Sequence, residues 1–170
     1  MSEAPQPDPV ATGQIEPRAT IRFRPATVED IDAIHGLIDE ASRTTTVLPR
    51  KRENICEKLR DFLVGERDGR IIACGALALF SPVLAEIRSL VVAPDCRGQG
   101  AGVQLVGALL AEARRIGLHR VFALTDNPPF FERSGFRIVD KHTLPQKVWT
   151  DCINCPLYLS CTEEAVEIRL

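Results

Sequence analysis

Residues 91–102 read VVAPDCRGQGAG, and three glycines there, Gly98, Gly100 and Gly102, alternate immediately before an apolar helical pattern. Glycines leave backbone N–H groups bare. At the positive end of a helix dipole such groups suit a phosphate. Arg97 adds a guanidinium able to pair with phosphate oxygens. The chemistry on offer is the binding of a phosphorylated ligand, and the spacing narrows which one. G-x-G-x-G is not the G-x-G-x-x-G of dinucleotide folds, and Val103 and Gln104 stand where a Walker loop needs its lysine. Nicotinamide and ATP therefore lose support. A glycine-rich turn that only starts a helix stays open as the alternative.

A second set of reactive residues lies near the C-terminal end. DCINCPLYLSC brings Cys152, Cys155 and Cys161 close together in sequence. Two readings stay open. The thiols could ligate a structural zinc, with His142 or a thiol of another chain as fourth ligand. They could instead be small buried hydrophobes, since no second C-x-x-C exists and apolar residues stand between them. Trp149 is expected to anchor this segment in the core.

These residues need elements to position them. Residues 21–26 alternate apolar and polar, as a half-buried strand does. Thr27 and Asp30 resemble a capping box ahead of a helix carrying Ile31, Ile34, Ile38 and Ala41. Ile55, Leu59 and Phe62 suggest a second helix running to about Arg60. Asp68-Gly69 is the turn of a hairpin, whose second strand ends at Ser81-Pro82. Residues 85–92 form the next strand. The helix after the glycines turns Val103, Val106, Leu110 and Ala113 to one side, with Gly117 beyond its end. Residues 119–125 are a strand, residues 127–135 a turn and short helix, and residues 136–140 begin a last strand. The result is a mixed α/β (α+β) domain, its sheet antiparallel at first and parallel around the glycine loop.

Composition agrees with one globular domain: 170 residues, 45% hydrophobic and 26% charged. The formal net charge of −2 and the lack of a basic block do not favour nucleic acid. Residues 1–19, rich in proline and acid, read as a flexible tail ahead of a domain at 20–170. They lack the apolar run of a signal peptide, and no 18-residue apolar stretch exists, so a cytoplasmic protein without a membrane span is expected. The six cysteines are then expected to be reduced.

The motif Arg97-x-x-Gly100-x-Gly102, the strand before it and the FFERSGF segment after it resemble the GNAT superfamily of acetyl-CoA-dependent N-acetyltransferases, over about residues 21–140. The resemblance implies that coenzyme A lays its pyrophosphate on the amides of Gly98, Gln99, Gly100, Ala101, Gly102 and Val103. Its pantetheine arm would bond the backbone of Leu90, Val91 and Val92, with Asn127 and Phe131 reaching it from the far side. Glu86 is implied as the base that takes the acceptor's proton, and a backbone N–H near Leu90 as the oxyanion donor. Family members often supply a tyrosine as general acid. Here Phe130 and Phe131 lack the hydroxyl and Tyr158 is the only tyrosine, so that role is unassigned.

A narrower resemblance joins LPRKRENICEKLRDFLV, AEIRSLVV, FALT, FFERSGF and LPQKVW to the short amino-acid N-acetyltransferases of bacterial arginine biosynthesis, which make N-acetylglutamate. It implies a small-molecule amino-acid acceptor. Two carboxylates on an acceptor need cationic anchors, for which Arg50, Arg88 and Lys147 are the candidates, with Ser89 as a hydrogen-bond donor. Glutamine, another amine, or a non-catalytic acyl-CoA-binding role stay open, as does a homodimer. The chain has no room for the kinase-like domain of the longer glutamate acetyltransferases, which puts arginine feedback through such a domain in doubt.

Overall fold

The computed structural model describes residues 20–170; the expected tail, residues 1–19, lies outside them. In chain order the elements are β1 (Arg22–Pro25), α1 (Ile31–Ser42), α2 (Arg52–Glu57), β2 (Phe62–Arg67), β3 (Arg70–Ser81), β4 (Leu84–Val92), α3 (Ala101–Arg115), β5 (Arg120–Thr125), α4 (Pro128–Glu132), β6 (Arg137–Val139), α5 (Pro145–Thr150) and β7 (Glu164–Arg169). The strands form one seven-stranded sheet in the order β1-β2-β3-β4-β5-β7-β6. Only β4 and β5 are parallel; the other neighbours are antiparallel.

Local signals account for most of this. The Thr27 N–H donates to the Asp30 carboxylate at 2.8 Å, and Arg24 donates to the same carboxylate at 2.6 and 2.9 Å, so the entry to α1 is fixed to β1. Asp68 and Gly69 both take positive φ, 52° and 75°, the geometry of a tight hairpin turn that matches strand twist. α3 buries Ala101, Leu105, Val106, Leu109, Leu110 and Ala113 against Ala73, Leu77, Ala85 and Ile87 of the sheet. Each leucine so buried contributes about 1.5–3 kcal/mol. Gly75 permits the contact: a Cβ there would lie 3.0 Å from Leu109 and 3.1 Å from Leu90. The opposite face, with Phe62, Val64, Ile72, Cys74 and Ala76, packs under α1 and α2.

Four expectations are corrected. The second helix ends at Glu57, and Phe62 opens β2, because its ring is needed in the core under α1. Val103 is 37% exposed, so the buried side of α3 turns toward Leu105 and Leu109. Residues 137–139 are not the last strand; β7 inserts between β5 and β6. Trp149 is 73% exposed and anchors no core.

The register positions the site. β4 and β5 pair only through Leu84, Ala85 and Glu86 against Arg120, Val121 and Phe122. Beyond Glu86, β4 continues to Val92 without β5 beside it, which leaves backbone groups on that edge for another partner. On its other side β4 carries one extra residue against β3: Cys74 pairs Val91, while Ala76 pairs Arg88. Ser89 in that bulge takes φ 52°.

Candidate active site

The free edge of β4 runs into the glycine loop. Gly98 and Gly100 take φ of 71° and 84°, conformations that L side chains rarely adopt, and Gly100 caps α3. A Cβ built on Gly98 meets nothing within 4 Å, so the loop borders open space. Gly102 serves a different purpose, since its Cβ would lie 3.0 Å from the Phe130 ring. Arg67 braces the loop by donating to Gln99 at 3.2 Å and to the Cys96 sulfur at 2.8 Å. Arg97 folds back onto the Val92 carbonyl at 3.1 Å. A bare loop before a fifteen-residue helix, continuous with an unpaired strand edge, fits a long ligand ending in phosphates.

A charged cluster covers the other face of β4 at the point where the strands part. Glu86 is 3% exposed. Lys147 from α5 donates to Glu86 Oε2 at 3.1 Å, and Arg88 Nε lies 3.7 Å from the same oxygen. Asp151 Oδ2 accepts from Arg88 at 2.7 Å and from Lys147 at 3.2 Å. Arg50 donates to Ser89 Oγ at 2.8 Å and to Asn54 at 2.7 Å. Phe80 lies under the guanidinium of Arg88 and the ammonium of Lys147, at 5.6 and 5.8 Å from the ring centre.

Burial pushes the Glu86 carboxyl above its ordinary value, and Lys147 and Arg88 pull it only part of the way back. Burial, then the nearby Arg88 charge, lowers Arg50. Burial pushes the Cys74 thiol up to about 12, which keeps this buried sulfur beneath the site inert as a nucleophile.

The structure thus brings Glu86, Arg88, Ser89, Arg50 and Lys147 together, and it separately joins Leu90–Val92 to the loop of Arg97, Gly98, Gln99, Gly100, Ala101, Gly102 and Val103. It separates others. Phe131 is 5% exposed and packs edge-on between Phe130 and Phe136, so the ring against the loop is that of Phe130. Asn127 is not among these: it is exposed at the N-cap of α4, the helix whose Phe130 meets Gly102. Cys152 and Cys155 are half-buried and Cys161 is exposed. Among the described residues no group of three or more His, Cys, Asp or Glu could hold a metal ion, so the zinc arrangement with His142 is not formed. Sequence reasoning missed Asp151, Asn54 and Phe80. Asp151 follows Lys147 at the i,i+4 spacing of a helical ion pair, which was a usable signal.

Known proteins resemble this chain in sequence and fold. Residues 28–136 match the family described as Acetyltransferase (GNAT) family. An uncharacterized N-acetyltransferase of Chlorobaculum tepidum is 39% identical over 150 residues, which are 88% of this chain and 97% of that protein. The amino-acid acetyltransferase of Shewanella oneidensis is 37% identical over 136 residues, 79% of this chain but only 31% of the relative. The N-acetylglutamate synthase of Neisseria gonorrhoeae, solved with coenzyme A and N-acetyl-glutamate, superposes with a TM-score of 0.79 at 29% identity. That match covers 91% of this chain and 36% of the other. Rv2747 from Mycobacterium tuberculosis, solved in complex with CoA, gives 0.75 at 27% identity over 88% of this chain and 99% of its own. The chain belongs to the acetyltransferase (GNAT) family. It is an N-acetyltransferase that takes its acetyl group from acetyl-CoA and passes it to an amine.

Proposed function

We propose that the acceptor is the α-amino group of an amino acid, L-glutamate before others, and that the product is N-acetylglutamate, as in the first step of arginine synthesis. The observation that carries this reading is the cluster on β4: a buried carboxylate, Glu86, with Arg88 and Lys147 against one of its oxygens and Arg50 close by on Ser89. An ammonium acceptor must lose a proton before its lone pair can attack a thioester. Glu86 is the base, and its raised affinity for protons suits that task. Both neighbouring cations lie toward Oε2, which leaves Oε1 to meet the amine. Arg50, Arg88 and Lys147 converge there, and they supply the cationic anchors that an acceptor carrying carboxylates needs.

The acetyl-CoA side follows from the other half of the site. The pyrophosphate lies on the glycine-loop amides with Arg97, and the pantetheine arm pairs with β4 from Leu90 to Val92 where β5 has parted. The bulge at Ser89 interrupts the pairing of β4 with β3 between Arg88 and Val91, which supports the Leu90 N–H as the oxyanion donor. The departing thiolate takes its proton from the product ammonium or from water. Glutamine keeps the α-carboxylate and is the nearest rival acceptor.

The test compares glutamate with its two monoesters and its diester. Turnover that falls at least about tenfold on blocking the carboxylates supports the assignment. Equal rates with the diester would overturn it.

A further inference from the structure

Asp151 has no task in the chemistry above, yet it occupies the cations that the acceptor needs. It stands immediately after α5 and joins α5 to β4: its Oδ2 accepts from Arg88 at 2.7 Å and from Lys147 at 3.2 Å. Those two side chains are the ones that also reach Glu86, at 3.7 and 3.1 Å. One carboxylate oxygen on two cations is what an acceptor carboxylate would offer in the same place. The Asp151 side chain is 37% exposed, against 4% for Glu86, so it can leave toward solvent while Glu86 cannot. Burial raises Asp151, but Lys147 and Arg88 outweigh it and hold the group ionised. The chain after it, residues 152–163, runs through short turns with Ile153, Leu157 and Leu159 exposed, so little core packing opposes a small shift there.

We propose that Asp151 is an internal stand-in for the acceptor's carboxylate: it holds Arg88 and Lys147 in the acceptor-free enzyme and is displaced when a carboxylate-bearing amine enters. The proposal rests on reading the Glu86 cluster as the acceptor site. It gives the site a means of choosing substrates. Lys147 is 11% exposed at its side chain, and leaving such a cation with Glu86 as its one carboxylate partner is unfavourable. An amine without a carboxylate has nothing to exchange for Asp151. The device therefore admits amino acids and excludes simple amines, beyond the affinity that the cations themselves supply.

The experiment is calorimetric binding of L-glutamate to the full chain saturated with coenzyme A, for the wild type, Asp151→Asn and Asp151→Glu. Removing the competitor should tighten glutamate by about three- to tenfold. The acceptor KM should fall in parallel, coenzyme A affinity should hold, and Asp151→Glu should restore the wild-type value. Weaker or unchanged glutamate binding by Asp151→Asn overturns the stand-in alone. Failure of the wild type to bind any carboxylate-bearing amino acid, with coenzyme A still bound, overturns the acceptor site and the stand-in together. Hydrogen exchange on the unaltered protein is the second reading: glutamate should speed exchange at the amides of residues 151–155, and slower or unchanged exchange there contradicts displacement.

Discussion

Replacing Glu86 with glutamine removes a charge and keeps a shape, and the structure sets what should follow. General-base catalysis contributes about 10²–10⁴ in rate, or about 3–5 kcal/mol of barrier, so kcat should fall by that factor. Acetyl-CoA binding should not change. Glu86 and Val92 lie on the same strand, about 20 Å apart at the usual rise per residue, so the lost carboxylate is remote from the phosphate end of the coenzyme. Stability at neutral pH should hold or rise: Lys147 loses a partner at 3.1 Å but keeps Asp151 at 3.2 Å, and a buried carboxyl whose proton affinity is raised gains by losing its charge. The pH profile gives the sharpest sign. Burial raises Glu86 above its ordinary value of 4.5, so wild-type activity should drop as pH falls through the raised value and the carboxyl takes up its proton. The glutamine variant should lack that limb. Linkage runs the other way for stability: a raised native carboxyl binds protons more readily than the unfolded chain. The wild type therefore loses stability as pH rises from the unfolded value through the folded one, and the variant does not. Thiol release across pH 5–9, coenzyme calorimetry and thermal melts cover these outcomes. A kcat within about threefold of wild type, with the acid limb intact, would place the base elsewhere.

Gly100→Glu should weaken acetyl-CoA binding by at least about a hundredfold, because it forces a non-glycine residue into φ 84° and puts negative charge in the phosphate cradle; unchanged affinity in calorimetry would remove the loop from the coenzyme site. Arg50→Ala should raise the glutamate KM by about ten- to a hundredfold and leave that of acetyl-CoA alone; steady-state kinetics with each substrate varied separates the two. Away from the site, the Arg24 guanidinium holds Asp30 at about 2, below its ordinary 3.8, and the Asp30 side chain is only 7% exposed. That pair contributes about 2 kcal/mol above pH 4, lost as pH falls toward 2. Asp30→Asn should flatten this acid limb in unfolding titrations between pH 2 and 6.

The parts of the protein written in local patterns were legible in its sequence. The alternation in residues 85–92, the three glycines and the apolar helix after them together describe strand, loop and helix without any partner. Glu86 and Arg88 are two residues apart on a strand, so they share a face wherever that strand lies. Long-range pairing was not legible. β7 carries Glu164, Glu167 and Arg169, which disguise a short buried strand, and nothing local indicates that it enters between β5 and β6. The Asp151 contact joins residues 63 apart in sequence, and only the fold brings α5 onto β4. The choice between Phe130 and Phe131 fails for a smaller reason. Adjacent residues on a helix point about 100° apart, so one rotation of a five-residue helix decides which ring meets the loop and which enters the core.

The central claim is transfer of acetyl from coenzyme A to the α-amino group of an amino acid held by Arg50, Arg88 and Lys147. Free-thiol release from acetyl-CoA, measured with the full chain against glutamate, glutamine, aspartate, lysine and a short peptide, tests it most directly. Release with glutamate should exceed the rest, with the product's mass increased by one acetyl group on the α-nitrogen. Release with the peptide or lysine above both glutamate and glutamine would contradict it.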